Sequence, residues 1–158
     1  MDLLPPPYRQ RRPVPAGRLD YFSEGLLILT TDGELVYRLT HPKWHVTKLY
    51  TVLVRGQVTE TQLLRMQQGM HLAEGEHLAP VQVTAVQAEN DNTWLSMTLI
   101  QGINRQIRRM CRDLDLTILK LIRVQEGPIS LGNLPAGHMR LLSAEEVYSL
   151  RSQVGLNM

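Results

Sequence analysis

Along this chain the apolar positions fall into short runs whose spacing switches between the two-residue period of strands and the 3.6-residue period of helices. Residues 26–31 (LLILTT) form an almost wholly apolar run, which predicts a strand buried on both faces. Asp32-Gly33 breaks it, and Asp32 is placed to cap a short helix carrying Leu35, Val36 and Leu39 that ends before Pro42. Residues 48–54 (KLYTVLV) are rich in β-branched and aromatic side chains and predict a strand closed by Arg55-Gly56. Thr59 and Gln62 have the spacing of a capping box, with Leu63, Leu64 and Met66 following before Gly69 stops the helix. Residues 81–86 and 94–100 both alternate apolar with polar around the polar turn 89–92, which predicts a hairpin. Ile107, Met110, Cys111 and Leu114 recur at i, i+3, i+4 and i+7, the stripe of an amphipathic helix over 105–114. A further strand is expected over 117–124. Ser143 and Glu146 open a last helix with Val147 and Leu150 on its face. Hairpin-linked strands mixed with separate helices, without a repeating βαβ rhythm, indicate an α+β fold.

The first sixteen residues stand apart. Pro5, Pro6, Pro7, Pro13 and Pro15 crowd them, and they are expected to be an extended arm, with one domain over 17–158. A chain of 158 residues is long enough to bury a core without staples. Its single cysteine, Cys111, excludes an internal disulfide and a zinc site of the paired-cysteine kind. No apolar stretch approaches membrane-spanning length and the first residues lack a signal-peptide core, so a cytoplasmic protein with no membrane partner is expected.

Net charge is only +2, but the basic residues are clustered: Arg9, Arg11 and Arg12 near the start, and Arg105, Arg108, Arg109 and Arg112 on the later helix. Such local patches can hold phosphates on a nearly neutral protein. Arg108 lies nearest the apolar edge of its helix. An arginine there can turn inward toward a partly buried anion or extend outward into water, and periodicity does not choose between these. The sequence contains no GxxxxGK[ST], no GxGxxG after a strand and no GxSxG, so neither a nucleotide cofactor nor a serine nucleophile is indicated. His41 and His45 are four apart, but Pro42 breaks any helix between them and no third ligand follows. No metal and no cofactor are expected.

What remains is Gly17-Arg18-Leu19-Asp20, just ahead of Ser23-Glu24-Gly25-Leu26-Leu27. Taken alone, Asp20 reads better as a loop carboxylate or a helix cap. However, four blocks occur in order: AGRLDYFSEGLLILTTDGELVYRLTHP, KLYTVLV, QGINRQIRRM and LIRVQEGPISLGNLPAGHMRLLS. Together they resemble the RsuA/RluB/RluE/RluF family of pseudouridine synthases, over nearly everything from residue 16 to about 150, with greatest similarity to the RluE-like branch that lacks a front RNA-binding domain.

The resemblance implies a mixed, mostly antiparallel sheet with flanking helices and a basic RNA cleft. It also implies that a uracil is detached from N1, turned and rejoined through C5. It makes Asp20 the catalytic aspartate, acting at the ribose C1′ as a nucleophile or taking a sugar proton as a base. Arg108 becomes its guanidinium partner, offsetting the desolvation that would raise a carboxyl pKa under bound RNA. Tyr50 becomes the active-site tyrosine that stacks on an extruded uracil and takes part in proton removal at C5. Arg18 is expected to fill the gap left by the flipped base, Arg105 to contact RNA, and Leu121 and Ile122 to line the uracil pocket. The partner implied is ribosomal RNA, with the large-subunit 23S molecule favoured.

Family domains usually carry further strands before GRLD, and only about sixteen residues precede it here. The expectation is therefore a domain with its N-terminal strands missing. It would be monomeric if complete, and otherwise able to self-associate through an exposed sheet edge. The alternative reading is a catalytically impaired RNA-binding fragment that assists ribosome assembly.

Overall fold

The computed structural model describes residues 4–19, 22–100 and 105–156. Its elements run in the order α1 (Pro6–Arg9), β1 (Val14–Pro15), β2 (Glu24–Gly25), β3 (Leu29–Thr30), α2 (Gly33–Thr40), a 3-10 turn (Pro42–Trp44), β4 (Lys48–Val54), α3 (Glu60–Gln68), β5 (Met70–His71), β6 (His77–Leu78), β7 (Gln82–Glu89), β8 (Asn92–Leu99), α4 (Gln106–Asp113), β9 (Ile118–Glu126), β10 (Ile129–Ser130) and α5 (Ala144–Gln153). Among the described residues the main sheet has the order β10-β9-β4-β8-β7, and β2 lies beside β10 on the outer edge of β9. All its pairings are antiparallel except β2 with β9. The fold is the expected α+β arrangement with a mostly antiparallel sheet.

Locally encoded elements form where the pattern places them. Thr59 and Ser143 each complete a capping box with Gln62 and Glu146, so the first turns of α3 and α5 have their orphan N–H groups satisfied from both sides. Asp32 caps α2 by accepting from the Glu34 and Leu35 amides at 3.1 and 3.2 Å. The β7–β8 hairpin turns through Asn90 and Asp91 at φ 49° and 68°. Both residue types tolerate this left-handed backbone, which matches the twist of the flanking strands.

Two cores lie around the sheet. The larger joins Val52, Val54, Leu95, Met97 and Leu121 of the central strands to Met66 of α3 and to Ile107, Met110 and Cys111 of α4. The whole predicted stripe of α4 is thus buried against the sheet. The second core gathers Leu26, Ile28, Leu35, Leu39, Ile129, Leu150 and Val154 between the β2–β3 segment, α2, β10 and α5.

Two expectations need correction. The run 26–31 is not a strand buried on both faces: the two-residue β2 precedes it, only Leu29–Thr30 within it forms a strand, and Leu27 is 38% exposed while Leu26 and Ile28 are buried. Leu26 and Ile28 pack into the second core, and the whole run borders a groove of about 1080 Å³ shared with residues of the 131–142 segment. The N-terminal arm is not wholly extended either. Pro6 and Pro7 occupy the first positions of α1, where a missing N–H costs no hydrogen bond, so proline starts a helical turn there.

Candidate active site

The central strands set the geometry. Tyr50 on β4 pairs with Met97 of β8 and Arg123 of β9, and Lys48 pairs with Leu99 and Glu126. Cross-strand partners point to the same face, so Tyr50, Lys48, Arg123 and Glu126 share the face that carries the larger core. Val52 and Leu121 sit deeper on that face, and Tyr50 packs at the margin of the cluster they belong to. Side chains of a strand alternate between faces. Ile122, next to Leu121, therefore turns away from Tyr50, pairs with Glu24 and lines the large groove. Leu121 and Ile122 do not share one pocket wall.

Arg123 is an arginine in a strand interior with 2% of its surface exposed. Its Nε donates to the Leu26 carbonyl at 2.9 Å and its Nη1 to the Arg18 carbonyl at 3.5 Å. The Leu26 amide in turn donates to the Arg123 carbonyl at 2.8 Å. Gly25 makes this approach possible: at φ +111° a Cβ would collide with the Arg123 carbonyl and lie 2.7 Å from its nitrogen. One residue of β9 thus ties down the backbone within the GRLD segment, at Arg18, and beyond it, at Leu26. Asp20 itself lies outside the described residues. Arg18 is exposed, with its carbonyl on Arg123.

From the helical side, the Arg108 guanidinium stands over the Phe22 ring at 5.9 Å, within cation–π range. Arg108 is half-buried, so it turns toward the loop and not outward. Arg105 is not helical: it is the N-cap of α4, held at φ 54°. Arg109 and Arg112 are committed to the β5–β6 hairpin. Arg109 pairs with Glu76 and, at 3.4 Å, with Glu74; Arg112 pairs with Glu74 at 2.7 Å and with Asp113 at 2.8 Å. The four-arginine arc resolves into one arginine at the loop, one at the cap and two neutralised by acids.

Burial dominates the electrostatics of the sheet face. It pushes the Glu126 carboxyl up, in spite of Arg123 and Lys48, and it draws the Lys48 ammonium down, in spite of Glu126. The Cys111 thiol is pushed up to about 12 by its burial, with the Arg108 charge opposing. Among the described residues there is no group of three or more His, Cys, Asp or Glu side chains able to hold a metal.

Tyr50 and Arg108 take their expected roles from the motif blocks, which assign none to Arg123, Phe22 or Glu126. A signal existed: a charged residue inside LIRV, where every neighbour suits a buried strand, must find buried partners. What the pattern could not supply was their identity, two carbonyls about a hundred positions away.

A family model described as RNA pseudouridylate synthase matches residues 2–113. The chain belongs to this family. Ribosomal large subunit pseudouridine synthase B of Pseudomonas aeruginosa is 36% identical over 156 residues, covering 96% of this chain and 39% of that protein. Ribosomal large subunit pseudouridine synthase E of Vibrio vulnificus is 39% identical over 142 residues, covering 81% and 60%. An RNA pseudouridine synthase of Aquifex aeolicus is 41% identical over 145 residues, covering 92% and 58%. The chain thus spans roughly two-fifths to three-fifths of the length of these relatives. A crystal structure of a pseudouridylate synthase superposes with a TM-score of 0.83 at 28% identity, over 94% of this chain and 64% of that one. Human RNA pseudouridylate synthase domain containing 1 shares the fold at 14% identity, with a TM-score of 0.58. No helix among the described residues is long and apolar enough to cross a membrane.

Proposed function

We propose that residues 17–158 form a catalytic domain that isomerises a uridine of ribosomal RNA, in the large subunit, to pseudouridine, with Asp20 as the essential carboxylate. The observation that supports the reading is the family match, in a chain where the register partner of Tyr50, Arg123, holds the Arg18 carbonyl and Arg108 stands over Phe22, two positions after Asp20. The large-subunit names of the two relatives from Pseudomonas and Vibrio support the choice of RNA.

In this reaction the C1′–N1 bond breaks and a C1′–C5 bond forms. The C5 proton leaves and N1 gains one, so no oxidant or cofactor is consumed. Asp20 acts either on C1′ as a nucleophile or on a sugar proton as a base. Both routes need the ionised carboxylate, and Arg108 supplies the opposing charge that keeps it so under bound RNA. Tyr50 offers a ring for the extruded uracil and a hydroxyl for the proton at C5. Arg18 fills the vacated stack, Arg105 contacts phosphate, and Leu121 closes the pocket floor.

Tritium release from ribosomal RNA labelled at uridine C5 tests this directly. Release is expected from the wild-type chain, with a loss on the order of a thousandfold or more in Asp20→Asn, because removing an essential chemical group costs at least that much. No release from either protein, on free transcript and on ribosomal particles alike, refutes the isomerase reading and favours an RNA-binding fragment.

A further inference from the structure

We propose that Arg123 is a positioning residue: its buried side chain fixes both ends of the 18–26 segment relative to Tyr50, and the rate of the chemical step depends on it. The inference rests on the proposed isomerase reaction.

Three observations carry it. The first is reach. The guanidinium contacts the Arg18 and Leu26 carbonyls, one on either side of position 20, and its own backbone holds Gly25 and Leu26 in a parallel bridge. The second is place. Arg123 is the register partner of Tyr50, so a single residue spans the loop and the tyrosine strand. The third is cost. Among the described residues, Nη2 of Arg123 and Oε2 of Glu126 are buried without a hydrogen-bond partner. Glu126 makes no ion pair with Arg123 within 4 Å among the described residues, and Lys48 adds a second basic group nearby.

A core selected for stability alone would place an apolar side chain here, since a buried charge without close pairing is a net expense. Retaining a guanidinium is explained by what methionine cannot do: donate to two carbonyls at once from a planar fork. Lysine is a compact ammonium without the planar fork, so it reproduces the two-carbonyl geometry only in part. A catalytic group displaced by about 1 Å loses on the order of a hundredfold in rate, which sets the size of the effect.

The test compares the full chain with Arg123→Met and Arg123→Lys in four measurements: thermal melting, RNA affinity, single-turnover tritium release at saturating RNA, and amide hydrogen exchange. Arg123→Met should fold and bind RNA within about threefold of wild type, while the single-turnover rate falls about a hundredfold. Exchange should quicken in peptides covering 17–28 and stay unchanged in β7 and β8. Arg123→Lys should recover part of the rate. Wild-type rate and exchange in Arg123→Met overturn the inference. So does exchange that quickens evenly along the whole chain, which marks a general loss of stability. A wild-type chain without turnover refutes the isomerase reading, and exchange over 17–28 then decides by itself whether Arg123 holds the segment.

Discussion

Asp32 serves two helices with one carboxylate. It caps α2 and pairs with Arg151 of α5, and the Leu35 amide first, then Arg151, hold its pKa below the ordinary 3.8. Because the folded value is the lower one, the stabilisation is complete above the unfolded pKa and is lost as pH falls through the folded value. Asp32→Ala should cost about 1 kcal/mol in urea denaturation at pH 7, the usual loss for an N-cap. Asp32→Asn should keep the cap but lose the Arg151 pair, and its deficit should vanish in acid once the wild-type carboxyl is protonated. Cys111 makes a second prediction at this scale. With the thiol 1% exposed and its pKa pushed to about 12, essentially no thiolate exists at pH 8. An aromatic disulfide reagent should label it only as the protein unfolds, and labelling at the rate of a free thiol in the native state would contradict the burial.

Elements were readable where their signals are local. The capping boxes of α3 and α5, the stripe of α4 and the β7–β8 hairpin depend on residues within one or two turns of each other. The sequence states them almost completely. The two-residue strands β5, β6 and β10 were not readable, because a pair of residues offers no period to detect. The 26–31 run misled for a different reason: apolar composition does not say whether a second layer exists to cover the outer face, and Leu27 faces a groove. The candidate site divides in the same way. Tyr50 and Arg108 sit in recognisable blocks, whereas Arg123 acquires its partners only when β2 meets β9. That meeting depends on Gly25. Gly25→Ala adds a methyl group against the β9 backbone at a left-handed φ, and should destabilise the fold by about 2–4 kcal/mol. A denaturation midpoint unchanged from wild type would rule out the β2–β9 register described above.

At the scale of the whole molecule, the net charge conceals how the basic surface is occupied. Glu74 and Glu76 on the β5–β6 hairpin already sit on Arg109 and Arg112. RNA phosphates would have to displace these carboxylates, so the arginines contribute less to affinity than their number implies. Glu74→Gln combined with Glu76→Gln should tighten RNA binding at low salt and steepen its decline with salt by about one to two charges. An unchanged salt slope would mean that α4 does not face RNA. The β2–β9 bridge has a consequence in time as well as in space. Glu24 and Gly25 must wait for Ile122 and Arg123, nearly a hundred residues later in synthesis. A pairing so distant in sequence forms later and more slowly than the local hairpins and helices. A nascent chain therefore has no β2–β9 bridge until β9 has left the ribosome, and the carbonyls that Arg123 holds stay without that partner until then.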